Sequence, residues 1–368
     1  MPTEAGRASL ARYFLRLGAL GFGGPIALVG HMHRDLVEGR RWFSEEEYRE
    51  GMALSQLSPG PLAAQLCFYL GYLRGGVAGS ALSGLAFVLP SFVMVLALGW
   101  AYVQYGGLAW VQAVFYGVGA AVIGLITRSA YGLTRKTVGA DPLFWLVFLT
   151  VAIGTAVTGR EPVWLILAGG VLVWLVRAPP AVLRRPGTAA EAGSVLVLLQ
   201  ILGFFAYAGS FVFGSGLAIV PFLHGGVVLQ HHWLTERQFL DAVAVALITP
   251  GPVVITTGFI GYLVAGLAGA CVAAGATFLP AFLFTVIPAP YFRRYGKRPA
   301  LAAVVAGITA GATGAIAGAV FVLGRQSLID ATTVLVALGA FGLTWLRWKL
   351  PEPLIVVAAA LIGLAVRG

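Results

Sequence analysis

The chain is written twice. Phe22-Gly23-Gly24, Arg41-Trp42-Phe43-Ser44-Glu45 and Ser58-Pro59-Gly60-Pro61 recur as Phe213-Gly214-Ser215, His232-Trp233-Leu234-Thr235-Glu236 and Thr249-Pro250-Gly251-Pro252, all at one offset of 191. After a one-residue slip the offset is 190. It then aligns Gly71-Tyr72 with Gly261-Tyr262, Pro90-Ser91-Phe92 with Pro280-Ala281-Phe282, and Tyr105-Gly106 with Tyr295-Gly296. A register held over so many Pro, Gly and Trp positions is a duplication, so one half's fold must also serve the other.

The unit is built for lipid. Of 368 residues, 59% are hydrophobic and 10% charged, against about 25% charged in soluble domains. Apolar segments lie near 10–32, 51–73, 77–103, 108–127, 143–158 and 162–176, then 195–222, 240–265, 266–289, 300–323, 328–346 and 352–367. Several are shorter than the ~20 residues a span requires. Two per half are interrupted by Gly or Pro, so twelve segments are not twelve crossings. The predicted fold is all-α: a polytopic transmembrane protein with two homologous, inverted repeats and broken or re-entrant helices. The repeats are expected at 10–176 and 195–368, joined by a linker loop at 177–194. A multi-pass protein of the inner membrane, with lipid as its surroundings, follows.

The net charge of +10 sits in short loops between apolar runs, the pattern of membrane orientation and not of nucleic-acid binding. Cys67 and Cys271 stand alone in apolar stretches, which supports neither a disulfide framework nor a zinc cluster. The first apolar stretch carries Arg12 and Arg16 and lacks a cleavage site, so no removed signal peptide is expected. The small residues of Ala302 to Gly318 suit close packing within one chain or between copies, which leaves a homo-oligomer open.

Loop charge gives orientation. Arg293, Arg294, Lys297 and Arg298 follow the third segment of the second half, while the equivalent loop at Gln104 to Gly107 has no basic residue. The next loop reverses the bias: Arg128, Arg135 and Lys136 in the first half, Arg325 alone in the second. With basic loops cytoplasmic, the halves point in opposite directions. An even number of crossings per half would make them parallel, so one interrupted segment per half is expected to be re-entrant.

Two motifs carry the chemistry. Ser44-Glu45-Glu46-Glu47 and Thr235-Glu236-Arg237-Gln238 are capping boxes behind an interfacial Trp. Each starts a helix of about thirteen residues, to Leu57 or Ile248, that is too short to cross at ~1.5 Å per residue. Then Ser58-Pro59-Gly60-Pro61 or Thr249-Pro250-Gly251-Pro252 breaks the helix, because each proline lacks an N–H and constrains the residue before it. A new helix is predicted with Pro61 or Pro252 at its first position. The second motif, Gly21-Phe22-Gly23-Gly24-Pro25 with its copy Phe213-Gly214-Ser215-Gly216, opens another break, with Pro25 at the first helical position.

Four helix starts are thus expected to meet at mid-membrane, and a helix N-terminus is a ready anion site. The candidate substrate-binding residues are Gly23, Gly24, Pro25, Ser58, Pro59, Gly60, Pro61 and Gln65, with Gly214, Ser215, Gly216, Thr249, Pro250, Gly251 and Pro252. Gln65 has Thr256 as its counterpart. On this reading Gly60→Leu or Gly251→Leu abolishes transport and leaves expression intact. The plain alternative is a kink without a ligand; two symmetry-related copies, each beside a hydroxyl, favour the site.

Glu50 and Asp241 match across the repeat and are candidates for proton coupling, against the plainer reading of carboxylates favoured near a helix start. His33, His224 and the His231-His232 pair are read as loop histidines, since nothing converges as a metal site would require. Arg16, Arg34 and Arg74 are either oxyanion attractors or interface anchors, and the anchor reading is preferred for each. No Walker A sequence, His-Glu-x-x-His, Gly-x-Ser-x-Gly or cysteine pair is present. No enzyme, cofactor or metal is expected.

Phe22-Gly23-Gly24-Pro25, Trp42-Phe43, Ser58-Pro59-Gly60-Pro61, Gly71-Tyr72, Pro90 and their second-half copies together resemble the chromate ion transporter family, from about Phe14 to Thr313. The resemblance implies export of chromate from the bacterial cytoplasm, conferring resistance. It also implies coupling to the proton-motive force or to exchange with sulfate, and oppositely oriented halves. Helix N-termini read charge and size, so another small oxyanion such as sulfate, carried or conducted through a channel, is the alternative. Gly24-Pro25 becomes Ser215-Gly216 and Ser58 becomes Thr249, which makes the first half the expected greater contributor.

Overall fold

The computed structural model describes residues 6–21, 24–158, 162–177, 196–212, 219–295, 299–345 and 352–367. Regular structure among them is helical. Gly23, Gly214, Ser215 and Gly216 lie outside the described residues, as does the linker beyond Arg177.

Each half opens with two re-entrant hairpins. Helix α1 (Arg7–Leu20) runs inward and breaks after Gly21; α2 (Gly24–Met32) and a π-helical turn (His33–Gly39) return. The return is visible in the Tyr13 hydroxyl, which donates to Asp35 Oδ2 at 3.2 Å. Ser44 then caps α3 (Glu45–Leu57): its Oγ accepts from the Glu47 N–H and its own N–H donates to Glu47 Oε2. After the Pro-Gly-Pro break comes α4 (Leu62–Tyr105), which has two arms. The short arm, 62–74, runs back along α3: Tyr69 donates to Glu50 at 3.1 Å and Arg74 pairs with Glu47 at 3.1 Å. At Gly75-Gly76 the chain reverses, and a side chain on Gly71 would strike the Gly79 carbonyl and Ser83. Gly76 has φ +60, a left-handed geometry that suits glycine. The long arm, 77–105, covers about 43 Å at 1.5 Å per residue, enough to cross.

The second half repeats this path: α8 (Leu196–Ser210), α9 (Ile219–Leu223) with a π-helical turn (His224–Gln230), α10 (Glu236–Ile248) capped by Thr235, and α11 (Thr256–Val286) turning at Ala265-Gly266. Gly266 has φ +59, and only this second turn position needs glycine, for Ala265 fills the first. The one-residue slip has a physical reason. The second half enters its short arm through a 3₁₀ turn, Val253–Ile255. Three residues rising ~2.0 Å each in a 3₁₀ turn cover the same ~6 Å as four in an α-helix.

Two re-entrant units per half, not one, correct the expected count, and parity does not set the orientation. Contacts do. Helix α3 begins beside Arg74, at the face where α1 starts with Arg7 against Gly75. Helix α10 begins at the other face: Arg237 donates to the Gln112 carbonyl at the start of α5 (Ala109–Thr137), and Tyr102 near the far end of α4 reaches Asp241. The halves are therefore inverted. The face of Arg7, Arg40, Arg41, Arg74, Arg135, Lys136 and Arg177 is the basic one, hence cytoplasmic.

Four helices among the described residues are long and apolar enough to cross: Leu62–Tyr105, Ala109–Thr137, Val253–Phe292 and Ala303–Arg325. Two shorter pairs interlock the halves. Helices α6 (Pro142–Thr158) and α7 (Val163–Arg177) pack on α13 (Pro299–Ser327) of the opposite half. Reciprocally, α14 (Ala331–Leu343) and α15 (Glu352–Arg367) pack on α5. Short α12 (Ala289–Tyr295) joins α11 to α13. Glycine makes the fit: side chains on Gly307, Gly311, Gly314 and Gly318 would strike Gly169, Ile166, Phe148 and Ala152, and those on Gly117 and Gly124 would strike Ala359 and Ala337. The small-residue stripe of α13 is thus used inside the chain, where close backbone approach supplies the packing that lipid cannot drive. Each pair is closed at its open end by an ion pair, Asp141 with Arg177 and Asp330 with Arg367.

Candidate functional site at the helix breaks

The re-entrant tips of both halves meet. The Gly60 N–H donates to the Val212 carbonyl at 2.5 Å, and the Gly251 N–H donates to the Gly21 carbonyl at 2.9 Å. These bonds are symmetry copies, since Gly60 matches Gly251 and Gly21 matches Val212. Each Pro-Gly-Pro tip therefore docks on the first helix end of the opposite half. Both glycines need their freedom, with φ +146 at Gly60 and +98 at Gly251.

The receiving surface is the Pro90-Ser91/Pro280-Ala281 pair. Ser91 Oγ donates to the Pro250 carbonyl at 2.7 Å, and a side chain on Gly60 would meet Ala281 Cβ at 2.8 Å. Position 91/281 is small because a tip from the other half sits on it. In the sequence this role leaves one trace, a small residue directly after a proline in both copies.

The tips correct several expectations. Pro61 caps the short arm, whose first helical residue is Leu62, and Pro252 caps the 3₁₀ turn. Gly24 opens α2, with Pro25 second. The N–H groups of Gly60 and Gly251 are engaged between the halves. Hydroxyls are engaged too: Ser58 Oγ donates to the Phe284 carbonyl at 3.2 Å and Thr249 Oγ1 to the Val245 carbonyl at 2.7 Å. Gln65 is wholly buried, its Nε2 donating to the Pro59 carbonyl at 2.7 Å, while its Oε1 is buried with no partner. Thr256 donates to the Val253 carbonyl. The first turn at Leu62–Ala64 still directs N–H groups toward the break, because the first turn of any helix lacks intrahelical acceptors. A cavity of about 10 Å³ lies there, lined by Leu28, Pro61, Ala63, Gly251, Pro252, Val253 and Val254, room for one water at most. The tips are closed against each other. Gly60→Leu would report on this packing and not on a ligand alone.

Around the tips, Asp241 is 3% exposed and accepts from Tyr102 of the opposite half at 2.6 Å. Glu50 accepts from Tyr69 of its own hairpin. His231 and His232 lie in a loop, as expected, whereas His33 and His224 do not. His33 and His224 sit in the π-helical turns and bond Glu45 at 2.9 Å and Glu236 at 2.7 Å, equivalent pairs that tie each turn to the start of the next helix. Arg41 and His232, both left-handed at φ +53 and +51, carry the chain between them. Arg74 is an anchor, bonded to Glu47 and the Trp42 carbonyl and lying over Phe43. Arg34 bonds His31, and Arg16 is exposed. Among the described residues no group of His, Cys, Asp or Glu could hold a metal.

The sequence matches the family model described as "Chromate transporter" twice, over residues 8–174 and 199–364. It is 61% identical to the "Chromate transport protein" of Cupriavidus metallidurans, with 96% of this chain and 92% of that one covered. It is 31% identical to the protein of the same name from Pseudomonas aeruginosa, over 99% and 93%. An uncharacterised transporter of Bacillus subtilis is 31% identical over 84 residues, 23% of this chain and 43% of its own length. No solved structure matches.

Proposed function

The chain belongs to the chromate transporter family, and on that premise we propose that it is a secondary transporter that moves chromate out of the cell through the meeting point of its four helix breaks. It is a multi-pass protein of the bacterial inner membrane and not an enzyme. Export is driven by the proton-motive force or by exchange with sulfate, an anion of the same charge and tetrahedral shape. Each repeat acts as one unit, and the closed tips separate to admit the anion.

The observation that supports this site is the pair of symmetry-related bonds from Gly60 and Gly251 across the halves. They bring the starts of the two short arms to one place, each against the end of the opposite half's first helix. There an anion finds oriented N–H groups, no lipid, and Ser58, Gln65 and Thr249 within the same tips. Alternating access in an inverted repeat then amounts to breaking these contacts toward one face and remaking them toward the other.

The test is chromate uptake by proteoliposomes, with and without a pH gradient and with sulfate on the far side, for wild type and Ser58→Asp. Ser58 is partly exposed, and an ionised Asp there adds one negative charge to the tip. At ~4 Å and an effective dielectric of ~20 it opposes each unit of anion charge by about 4 kcal/mol. Flux falls more than 100-fold, and Ser58→Asn loses far less. Equal flux in Ser58→Asp and wild type rules out anion passage at the tips.

A further inference from the structure

The two candidate coupling carboxylates are not equivalent, and the difference lies in where each finds its tyrosine. Glu50 takes a hydroxyl from Tyr69, on the short arm of its own hairpin. The repeat equivalent of Tyr69 is Phe259, so Asp241 has no such donor within its hairpin. Asp241 instead takes the hydroxyl of Tyr102, on the long arm of the opposite half, at 2.6 Å. The equivalent of Tyr102 is Phe292, so Glu50 has no hydroxyl at that place. The duplication has moved one hydroxyl from inside a hairpin to across the division between halves.

The division is what opens in alternating access, and the Tyr69–Glu50 bond rides with its hairpin while the Tyr102–Asp241 bond spans it. The tyrosine ring is held edge-on by Phe115 of α5 at 5.5 Å and by Phe259 at 5.7 Å. Other charged or titratable groups around α10 are already engaged. Arg237, one turn earlier, is on the Gln112 carbonyl; His224 is on Glu236; Tyr116 of α5 and Arg367 of α15 are on Asp330. Tyr262 of α11 packs on Gly99. A carboxylate 3% exposed with one hydroxyl donor is costly to bury in its charged form. Closing this face over Asp241 therefore takes up a proton, and parting of the halves toward the opposite face, which draws Tyr102 from Asp241, gives that proton up on the cytoplasmic side. Tyr102 and α10 begin at the face opposite the basic one, so the proton comes from the periplasmic side.

We propose that Asp241, latched by Tyr102 of the opposite half, is the proton-carrying residue of this transporter, loaded from the periplasmic face as that face closes after chromate has left, and that Glu50 has no such part. The inference rests on the transport reading above and deepens it: one proton enters at the face where the anion departs, which is antiport.

The purified full chain in proteoliposomes tests it with two readouts, chromate accumulation driven by a pH gradient and chromate–chromate exchange without one. Asp241→Asn keeps the size and hydrogen bonding of the side chain but cannot carry a proton. It lowers gradient-driven accumulation at least ~10-fold and keeps exchange within about threefold. Asp241→Glu restores gradient drive, and Glu50→Gln retains it. Asp241→Asn that still concentrates chromate like wild type overturns the proposal, and so does loss of exchange together with accumulation in a variant that Asp241→Glu rescues, since the carboxylate then belongs to the anion's own path. Wild-type accumulation indifferent to the pH gradient overturns it as well while leaving chromate carriage intact. No exchange by the wild type would instead overturn carriage itself.

Discussion

Replacing Gly60 by alanine isolates the cost of the docked tip. Gly60 holds φ +146, and an added Cβ would lie 2.6 Å from Gln65 Nε2 and 2.8 Å from Ala281 Cβ. A backbone conformation reserved for glycine costs about 1–3 kcal/mol in any other residue. The overlap adds about 1–3 kcal/mol of overpacking. Neither neighbour yields easily: the Gln65 amide is wholly buried and bonded to Pro59, and Ala281 is fixed on the long arm of α11. The total is about 2–6 kcal/mol. Gly76 is the comparator. It is left-handed at φ +60, but an added Cβ meets nothing within 4 Å, so Gly76→Ala carries only the left-handed penalty of about 1–2 kcal/mol. Thermal unfolding of the purified proteins in one detergent should drop the midpoint of Gly60→Ala at least about twice as far as that of Gly76→Ala, with loss of chromate exchange in the former alone. On the other side, Gly251→Ala overlaps Ser91 Oγ, so adding Ser91→Ala should recover part of its loss, a non-additive pair. Equal destabilisation by Gly60→Ala and Gly76→Ala would refute the docking of tips across the halves.

Two further outcomes follow from side chains away from the tips. His224 is 2% exposed and bonded to Glu236, whereas its copy His33 is partly solvated; His224→Ala should cost roughly 1–3 kcal/mol and His33→Ala below about 1 kcal/mol, read as unfolding midpoints. The Tyr116 hydroxyl, the Thr333 N–H and Arg367 hold the Asp330 carboxyl below the usual carboxylate range. A depressed folded-state value stabilises above the unfolded carboxylate pKa of about 3.9 and fades as pH falls through the folded one. The stability difference between wild type and Asp330→Asn should thus stay level from neutral pH down to about pH 4 and shrink below it; shrinkage already at pH 6 would contradict the assignment.

Much of the frame was legible in residues. The capping boxes at Ser44 and Thr235, the thirteen-residue helices to Leu57 and Ile248, the breaks after them and the inversion all follow from local chemistry and loop charge. Local rules stop at partners. Glycines at 307, 311, 314 and 318 announce that something approaches closely, but not that it is α6 and α7 of the other half. The π-helical turns leave no signature in composition, so His33 and His224 read as loop residues. Tip glycines read as open donors because a motif shows which N–H groups a break exposes, and only the fold shows that Val212 and Gly21 take two of them.

The interlock has a consequence for chains of half the length. Helices α6 and α7 have their seat on α13, and α14 and α15 theirs on α5, so neither half closes its own surface. A single repeat made alone would leave a glycine-lined trough and an unseated helix pair. Its complement is a second repeat inserted the other way up. A chain of one repeat built on this plan would be stable only as one member of an antiparallel couple. Fusion of two repeats into one polypeptide then fixes stoichiometry and orientation together, and frees the copies to diverge, as the exchange of Tyr69 and Phe292 for Phe259 and Tyr102 shows they have.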